Sequence, residues 1–263
     1  MDKGRYTDIN AKTWDQWAEN GCEWSVPIGH EEYQRAKDGE WAMYLTPCIP
    51  VPKGWFPPLA GTALLGLASG GGQQMPIFSA LGAHCTVLDY SSRQLASEQL
   101  VAEREGYKIR LCQGDMTQPL PFPDESFDLI FHPVSNCYIE DVCTVWQECF
   151  RVLKPGGVLL AGFDNGLNFL FEEDYPLTVV NRLPFNPLKM PEEVFLRMAE
   201  NGEGIQFSHS LEEQIGGQLR AGFRLEDLYE DRDRPGGAAI REYAPQYIAT
   251  RSVKPLQRVN AGA

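Results

Sequence analysis

The stretch LLGLASGGGQQ at residues 64–74, followed by VLD at residues 87–89, decides the fold of this chain. An apolar run stops at a glycine-rich turn, a helical pattern follows, and a second apolar run ends in Asp89. This order predicts a β-α-β unit with an acidic residue about 20 positions beyond the glycines. Small residues let the backbone approach a ligand closely, and a carboxylate accepts hydrogen bonds from a ribose diol. The pattern therefore predicts an adenosine-containing cofactor.

Further apolar runs alternate with helical patterns, which is typical of a parallel sheet that is buried on both faces. The predicted strands of this core are residues 63–68, 85–89, 109–113, 127–131 and 157–162. Residues 91–105 predict a helix that opens with a capping box from Ser91 to Gln94 and ends at Gly106. Residues 141–153 carry an apolar stripe at helical spacing and predict a second helix that packs on the sheet.

The last part of the chain predicts one more helix and a pair of strands. Leu211, Ile215 and Leu219 recur at helical spacing and predict the helix. Residues 223–230 and 243–250 are close in sequence, so we expect these two strands to pair antiparallel.

We interpret residues 1–263 as a single domain of four parts. These are the arm (residues 1–58), the core (59–163), the insertion (164–208) and the C-terminal helix and strand pair (209–253). The arm holds five of the six tryptophans, so it either covers one edge of the core or closes over a ligand. The insertion has an irregular pattern rich in aromatic residues, Tyr175 among them, which is typical of a lid or binding element.

Composition excludes several classes of function. The formal net charge of -13 repels phosphate backbones, so we expect no nucleic-acid partner. No apolar stretch approaches the ~20 residues of a membrane span, and no apolar run follows the first residues. We therefore expect a cytoplasmic protein with no membrane partner. The seven cysteines include no Cys-x-x-Cys pair and predict reduced thiols without a metal site.

Ligands of an open parallel sheet lie beyond the carboxyl ends of its strands, and those ends can be identified in the sequence. The candidate cofactor-binding residues there are Gly66, Ala68, Ser69, Gly70, Gln73, Asp89, Tyr90, Ser91, Gly114, Asp115, Met116, His132 and Pro133. The candidate substrate-binding residues are Ser135, Asn136 and Tyr138.

The same motifs resemble those of the class I S-adenosylmethionine-dependent methyltransferases. Residues 66–72 lie where that family has an acidic-x-Gly-x-Gly-x-Gly turn, Asp89 matches its ribose-binding acid, and residues 114–116 match its adenine segment. Residues 120–128 resemble the loop into its fourth strand, and residues 151–157 the turn into its fifth.

The resemblance covers roughly residues 61–163 and implies a fold, a cofactor and a reaction. The fold class it implies is α/β, a doubly wound, mostly parallel seven-stranded sheet with helices on both faces and an antiparallel last strand. The implied cofactor is S-adenosylmethionine. The acidic surface disfavours a nucleic acid and the aromatic insertion favours a partly apolar acceptor, so we expect a small-molecule methyl acceptor as the partner. Transfer would be an in-line displacement, in which the enzyme aligns the reactants and excludes water. We expect a monomer or a homodimer.

Two positions depart from the family pattern. Gly66 stands where the family has an acid, and Ala68 stands where it has the first glycine. The acid would help to hold the amino-acid end of the cofactor, so that task would fall to Gln73, Ser69 or a residue of the arm. Ala68 would be tolerated easily if its φ angle were negative.

Catalysis on a hydroxyl acceptor would use a base, and His132 is the candidate because histidine titrates near neutral pH. Alternatively, His132 only packs or bonds to the backbone. Tyr138, the second catalytic candidate, would orient the acceptor together with Ser135 and Asn136.

Two other functions fit part of the sequence. A nicotinamide-dependent oxidoreductase shares the β-α-β unit, although Gly66, Ala68 and Gly71 match its glycine spacing only in part. A non-catalytic S-adenosylmethionine-binding protein would be consistent with the absence of an acid at Gly66.

Overall fold

Seven strands form one sheet at the centre of the molecule, in a computed structural model that describes residues 5–171 and 177–256. In chain order the strands are β1 (Ala63–Leu67), β2 (His84–Asp89), β3 (Arg110–Gln113), β4 (Phe127–His132), β5 (Leu153–Asp164), β6 (Arg224–Asp231) and β7 (Tyr247–Val253). Their order across the sheet is β3-β2-β1-β4-β5-β7-β6. β1 to β5 run parallel, and β7 is antiparallel to both of its neighbours. The predicted fold class is confirmed.

The described helices flank the sheet. They are α1 (Tyr6–Glu19), α2 (His30–Lys37), α3 (Gln74–Ala80), α4 (Ser92–Glu105), α5 (Val142–Val152), α6 (Leu167–Leu170), α7 (Glu192–Glu200) and α8 (Gly217–Ala221). The predicted ends of α4 are confirmed, because Gln94 N donates to Ser91 Oγ (3.1 Å) and Gly106 takes a left-handed conformation with φ of 74°. None of these helices is long and apolar enough to cross a membrane.

Each face of the sheet carries its own apolar core because successive strand residues point to opposite sides. Leu64 and Leu129 pack into the core that α2, α3, α4 and part of the arm cover. Leu65 and Ile130 pack into the core on the other face, where α5 contributes the fully buried Trp146. The strands are therefore enclosed on both sides, which leaves their carboxyl ends as the accessible edge.

The apolar residues that predict the last helix do not form its buried face. Leu211 and Leu219 are 49% and 50% exposed, whereas Gln214 and Gln218 are buried. A π-helical turn at Glu212–Gly216 precedes α8. Because a π-helical turn is wider than an α-helical one, the residues after it face a different side of the helix than regular α-helical spacing predicts.

Other boundaries differ from the sequence prediction as well. The structure places α6 and α7 inside the insertion, which the sequence pattern had indicated to be irregular. β7 begins at Tyr247, after Pro245, because proline has no N–H group for a sheet ladder. The prediction for Tyr175 lies outside the described residues, as does that for the tail beyond residue 256.

The arm packs across the sheet and against the insertion. A Cβ atom at Gly162 of β5 would overlap the Leu45 carbonyl, so this strand needs glycine where the arm crosses it. The Leu45 carbonyl also accepts from Val134 N (3.2 Å) just beyond β4. A small third core joins Phe195 and Phe207 of the insertion to α1.

Candidate active site

A cavity of about 1350 Å³ lies at the carboxyl ends of the parallel strands. A single small-molecule site typically has a volume of about 300–1,000 Å³, so this cavity has room for a cofactor and an acceptor together. Thirteen of the residues predicted for the site line it: Ala68, Ser69, Gly70, Gln73, Asp89, Tyr90, Ser91, Gly114, Asp115, Met116, Pro133, Ser135 and Tyr138. Gly66, His132 and Asn136 do not line it.

Asp89 and the glycine-rich turn are in direct contact. Gly70 N donates to Asp89 Oδ2 (3.0 Å), and Ser91 N donates to Asp89 Oδ1 (2.9 Å). A Cβ atom at Gly70 would lie 2.8 Å from Asp89 Oδ2, so the close approach requires glycine. Burial raises the pKa of Asp89 to about 6, although the backbone donors act in the opposite direction. The carboxyl group and the turn therefore form one preassembled cradle.

Ala68 takes the left-handed conformation, with φ of 47°, so the condition under which alanine would be tolerated easily here is not met. Its N–H donates to the Leu88 carbonyl (2.8 Å), which fixes the first residue of the turn to the end of β2. An L-residue in this region costs roughly 1–2 kcal/mol. The strain lies where the backbone turns from β1 toward the cavity.

Met75 occupies the space that a side chain at position 66 would need. A Cβ atom at Gly66 would lie 2.8 Å from Met75 Sδ and 2.8 Å from Met75 Cε, and Met75 is fully buried. Of the proposed substitutes, Gln73 lines the cavity, and its Nε2 donates to the carbonyls of Glu23 (2.9 Å) and Val26 (3.0 Å) in the arm. Ser69 lines the cavity and remains a candidate for the amino-acid end of the cofactor.

Glu98 of α4 supports the glycine-rich turn by a hydrogen bond. The sequence analysis did not identify this residue. This fully buried residue of α4 accepts from Gly72 N through Oε1 (2.8 Å), while no hydrogen bond of its Oε2 is found in the described part of the chain. Burial raises the pKa of Glu98 to about 8. The available signal was an acid on the buried face of α4, between Leu95 and Val101.

Part of the arm borders the cavity, and part of it covers the core. Thr7, Ala11 and Trp14 of α1 line the cavity. Buried Asn10 holds α1 in place: its Nδ2 donates to the carbonyls of Tyr138 (2.9 Å) and Ile205 (3.0 Å), and Ile205 N donates to its Oδ1 (2.6 Å).

Polar contacts join α1 to the start of α4 as well. Ser91 Oγ donates to Asp15 Oδ1 (2.6 Å), and Arg93 N donates to the same oxygen (3.0 Å). Tyr90 Oη donates to Asp8 Oδ1 (2.6 Å). An acid at a helix N-terminus is favourable, so these contacts hold the arm against the end of β2 that carries Asp89.

His132 lies behind the cavity wall, which contradicts its predicted contact with cofactor and acceptor. The ring is fully buried, its Nδ1 lies 2.9 Å from the Leu67 carbonyl, and its Nε2 lies 2.8 Å from Asn136 Oδ1. Asn136 Nδ2 in turn donates to Gln214 Oε1 (2.9 Å). Burial lowers the pKa of His132, so the ring is neutral at pH 7. His132 and Asn136 thus join β1, β4 and the π-helical turn.

Tyr138 and Ser135 do face the cavity. The Tyr138 ring meets Trp14 edge to face with 5.5 Å between ring centroids. Burial raises the pKa of Tyr138 well above its ordinary value, so its hydroxyl keeps its proton and acts as a hydrogen-bonding group. Ser135 Oγ donates to the Pro133 carbonyl (3.0 Å).

Asp164, at the end of β5, is the second residue that the sequence analysis missed as part of the site. It lines the cavity and is only 3% exposed. Gly166 N donates to its Oδ1 (2.9 Å), and burial raises its pKa to about 7. An acid at the end of a strand was the available signal, but the sequence pattern had assigned it to the start of an irregular segment.

The charge of the described cavity lining is strongly negative. Its acids are Glu23, Glu32, Asp89, Asp115, Asp164, Glu203 and Asp233. Its one arginine, Arg234, is paired with Glu23 and lies over the Trp24 ring at 4.1 Å from the centroid. Such a surface attracts a cation such as a sulfonium and repels anions.

Comparison with known proteins identifies the family. The chain is 45% identical over 250 residues to the uncharacterized methyltransferase YbaJ of Bacillus subtilis, a match that covers 93% of this chain and 97% of that one. A family model described as a methyltransferase domain matches residues 65–161. The chain belongs to the class I S-adenosylmethionine-dependent methyltransferases. The methyltransferase therefore uses S-adenosylmethionine, and the two other functions considered above, an oxidoreductase and a non-catalytic binding protein, are set aside.

More distant relatives agree with this family. The sterol 24-C-methyltransferase of Aspergillus fumigatus is 30% identical to the methyltransferase over 178 residues, which are 66% of this chain and 42% of the relative. The crystal structure of an S-adenosylmethionine-dependent methyltransferase from Mesorhizobium loti superimposes with a TM-score of 0.60. That match covers 76% of this chain and 94% of the other at 18% identity, so it shows the fold alone.

Proposed function

We propose that the methyltransferase transfers a methyl group to a small molecule that binds beside the cofactor in the cavity described above. The observation that carries this proposal is the cavity itself, which extends from Asp89 and the Gly70 turn to Asp164 at the end of β5. The two ends have different chemistry, and the volume exceeds what one ligand of ordinary size needs.

The cofactor end suits an adenosyl group. Asp89 would bind the ribose diol, Gly70 would allow close approach of the backbone, and Asp115 and Met116 would contact the adenine. The cradle fits because glycine at position 70 lets the turn approach the Asp89 carboxyl group and because Asp89 is already oriented by two backbone donors. Ser69 would contribute to the amino-acid end. Bound S-adenosylmethionine supplies a methyl group activated by a sulfonium.

The protein contributes alignment, a negative field and exclusion of water. The acids of the lining stabilise a positive charge at the cofactor end. Asn10 and Trp14 of α1 line the cavity and would limit the entry of water. Tyr138 and Ser135 would orient the acceptor, because both face the cavity at the end of β4. An in-line displacement needs this positioning more than it needs covalent chemistry.

His132 and Asn136 have a structural part in this proposal. Their hydrogen bonds fix the end of β4, from which Ser135 and Tyr138 project. The single-domain organisation, with the insertion as a lid, also stays a proposal. It is supported by the contact between the insertion and α1. A monomer or a homodimer remains our prediction for the oligomeric state.

Calorimetric titration of the full chain tests the cofactor assignment. We expect S-adenosylmethionine and S-adenosylhomocysteine to bind and NADH not to bind. Asp89→Ala should weaken the binding of S-adenosylhomocysteine by at least about 1.5 kcal/mol, since hydrogen bonds to a charged group are worth roughly 1.5–3 kcal/mol. Asp38→Ala, at an exposed position after α2, is the matched control. An unchanged dissociation constant for Asp89→Ala would remove this residue from the site, and binding of NADH alone would overturn the proposal.

A further inference from the structure

We propose that Asp164 binds a hydroxyl group of the acceptor and receives its proton during methyl transfer. The acceptor would then be an uncharged, hydroxylated molecule with an apolar body. This inference rests on the proposed function, because it names the substrate class of the same cavity.

The first observation is the incomplete bonding of Asp164. Oδ1 is occupied by Gly166 N, whereas Oδ2 is buried and has no hydrogen-bond partner among residues 5–171 and 177–256. Leaving a buried acceptor without a partner costs about 1–3 kcal/mol. A hydroxyl group bound in the cavity would supply the partner that the described part of the chain does not.

The second observation is that the groups around Asp164 are polar but uncharged. Asn168 also lines the cavity, and its Oδ1 is buried without a partner in the described segments. The charge of Asp164 acts on the titratable groups Cys137, Tyr138 and Tyr247, and burial raises the pKa of all three. No described cation pairs with Asp164. Its own pKa, raised to about 7 by burial, leaves both protonation states accessible near neutral pH.

The third observation is the apolar surface next to this polar corner. Phe169, Phe171 and Leu177 of the insertion line the cavity, together with Ile139. An acceptor with an apolar body can pack on these side chains while its hydroxyl meets Asp164. The acids of the lining disfavour an acceptor that carries a phosphate or carboxylate.

The proposed step balances without any further reactant. The acceptor oxygen forms a bond to the methyl carbon as the carbon–sulfur bond breaks, and the electron pair of that bond stays on sulfur. The hydroxyl proton passes to Asp164, which becomes a neutral carboxyl group. Burial favours this neutral form, so the proton transfer reduces the cost of a buried charge. The proton is released to water when the product leaves.

The test uses the full-length protein and three probes that share one ring system: a naphthol, a naphthylamine and a naphthoate. Binding to the protein saturated with S-adenosylhomocysteine is measured by calorimetry, and transfer of a tritiated methyl group is measured with S-adenosylmethionine. The variants are Asp164→Asn, Asn168→Ala and the exposed control Asp38→Asn. We expect the naphthol to bind and to be methylated, and the naphthoate not to bind.

Asp164→Asn should lower kcat for the naphthol by about 100-fold or more, which is the usual range for a lost proton acceptor. Its affinity for S-adenosylhomocysteine should be unchanged, which also shows that the variant is folded. The wild-type rate should rise with pH through about 7, because the ionised form of Asp164 accepts the proton, and Asp164→Asn should lose this inflection. Asn168→Ala should raise KM and keep the inflection.

The outcomes separate this inference from the proposed function. Cofactor binding without binding or methylation of the naphthol would overturn the hydroxyl acceptor and leave the cofactor assignment in place. Preference for the naphthylamine or the naphthoate would also overturn it. An unchanged kcat and pH profile in Asp164→Asn would exclude Asp164 as the proton acceptor. Failure of the wild type to bind S-adenosylmethionine would instead contradict the proposed function.

Discussion

The carboxyl groups at the two ends of the cavity, Asp89 and Asp164, differ in their hydrogen bonding. At the cofactor end, Asp89 accepts two backbone hydrogen bonds from residues close to it in the β-α-β unit. At the acceptor end, Asp164 and Asn168 each hold a buried oxygen without a partner in the part of the chain that the structure describes. The first end is preassembled by local structure. The second is enclosed by segments that are distant in sequence, and a ligand would complete its hydrogen bonds.

The largest expected effect comes from Asn10→Ala, which removes the hydrogen bonds that join α1 to Tyr138 and to Ile205 of the insertion. Asn10 makes three hydrogen bonds to backbone groups, two of them buried, and each buried group left unpaired costs about 1–3 kcal/mol. We expect the free energy of unfolding to fall by about 3 kcal/mol in chemical denaturation. The matched control is Asn20→Ala, at the exposed end of α1.

Ligand binding by Asn10→Ala compares the cofactor end of the cavity with the acceptor end. Loss of acceptor binding with retained affinity for S-adenosylhomocysteine would show that the arm serves the acceptor end. Equal losses at both ends would show that the cavity behaves as one unit, and an unchanged stability would contradict the role of Asn10.

Glu98→Gln tests the cofactor end through the pH dependence of the free energy of unfolding. The pKa of Glu98 is about 8 when folded and lower when unfolded, so its favourable contribution is complete in acid and is lost as pH rises through about 8. Glutamine keeps an oxygen for Gly72 N and does not ionise. We expect the variant to gain about 1–2 kcal/mol of stability at pH 8 and much less at pH 5.

Thermal unfolding at the two pH values measures this difference, and Glu103→Gln on the exposed side of α4 is the control. A gain of the same size at both pH values would show that ionisation of Glu98 does not influence stability.

The smallest effect is expected from Ala68→Gly. Glycine relieves the left-handed strain, worth about 1 kcal/mol, but it also loses more backbone entropy on folding. We expect a gain in stability of less than about 1 kcal/mol, with cofactor affinity changed little. Chemical denaturation and calorimetry measure the two quantities, and a marked loss of affinity would show that the alanine methyl group itself contacts the cofactor.

The sequence predicted the cofactor end well because its signals are local. Asp89 follows the glycine turn by 19 positions, and the cap formed by Ser91 and Gln94 involves neighbouring residues. The φ angle of Ala68 could not be predicted, because it depends on how the end of β1 meets β2. The burial of His132 depends likewise on the π-helical turn, through Gln214.

The acceptor end could not be predicted to the same degree. Asn10 contacts residues 128 and 195 positions away, and no local pattern encodes such pairs. Asp164 was visible as an acid after an apolar strand, but its buried oxygen became evident only from the packing around it. Glu98, at the cofactor end, could not be identified either, because the helical pattern of α4 does not show which backbone group its side chain contacts.

The crossing of Leu45 over Gly162 has a consequence for the order of folding. The arm is synthesised first, yet its resting place is a strand more than a hundred residues later in the chain. Contacts of such sequence separation form late, after the local units have assembled. We therefore expect the arm to stay unpacked in a nascent chain that ends before β5. The arm would then complete the lining of the cavity only when the sheet is nearly formed.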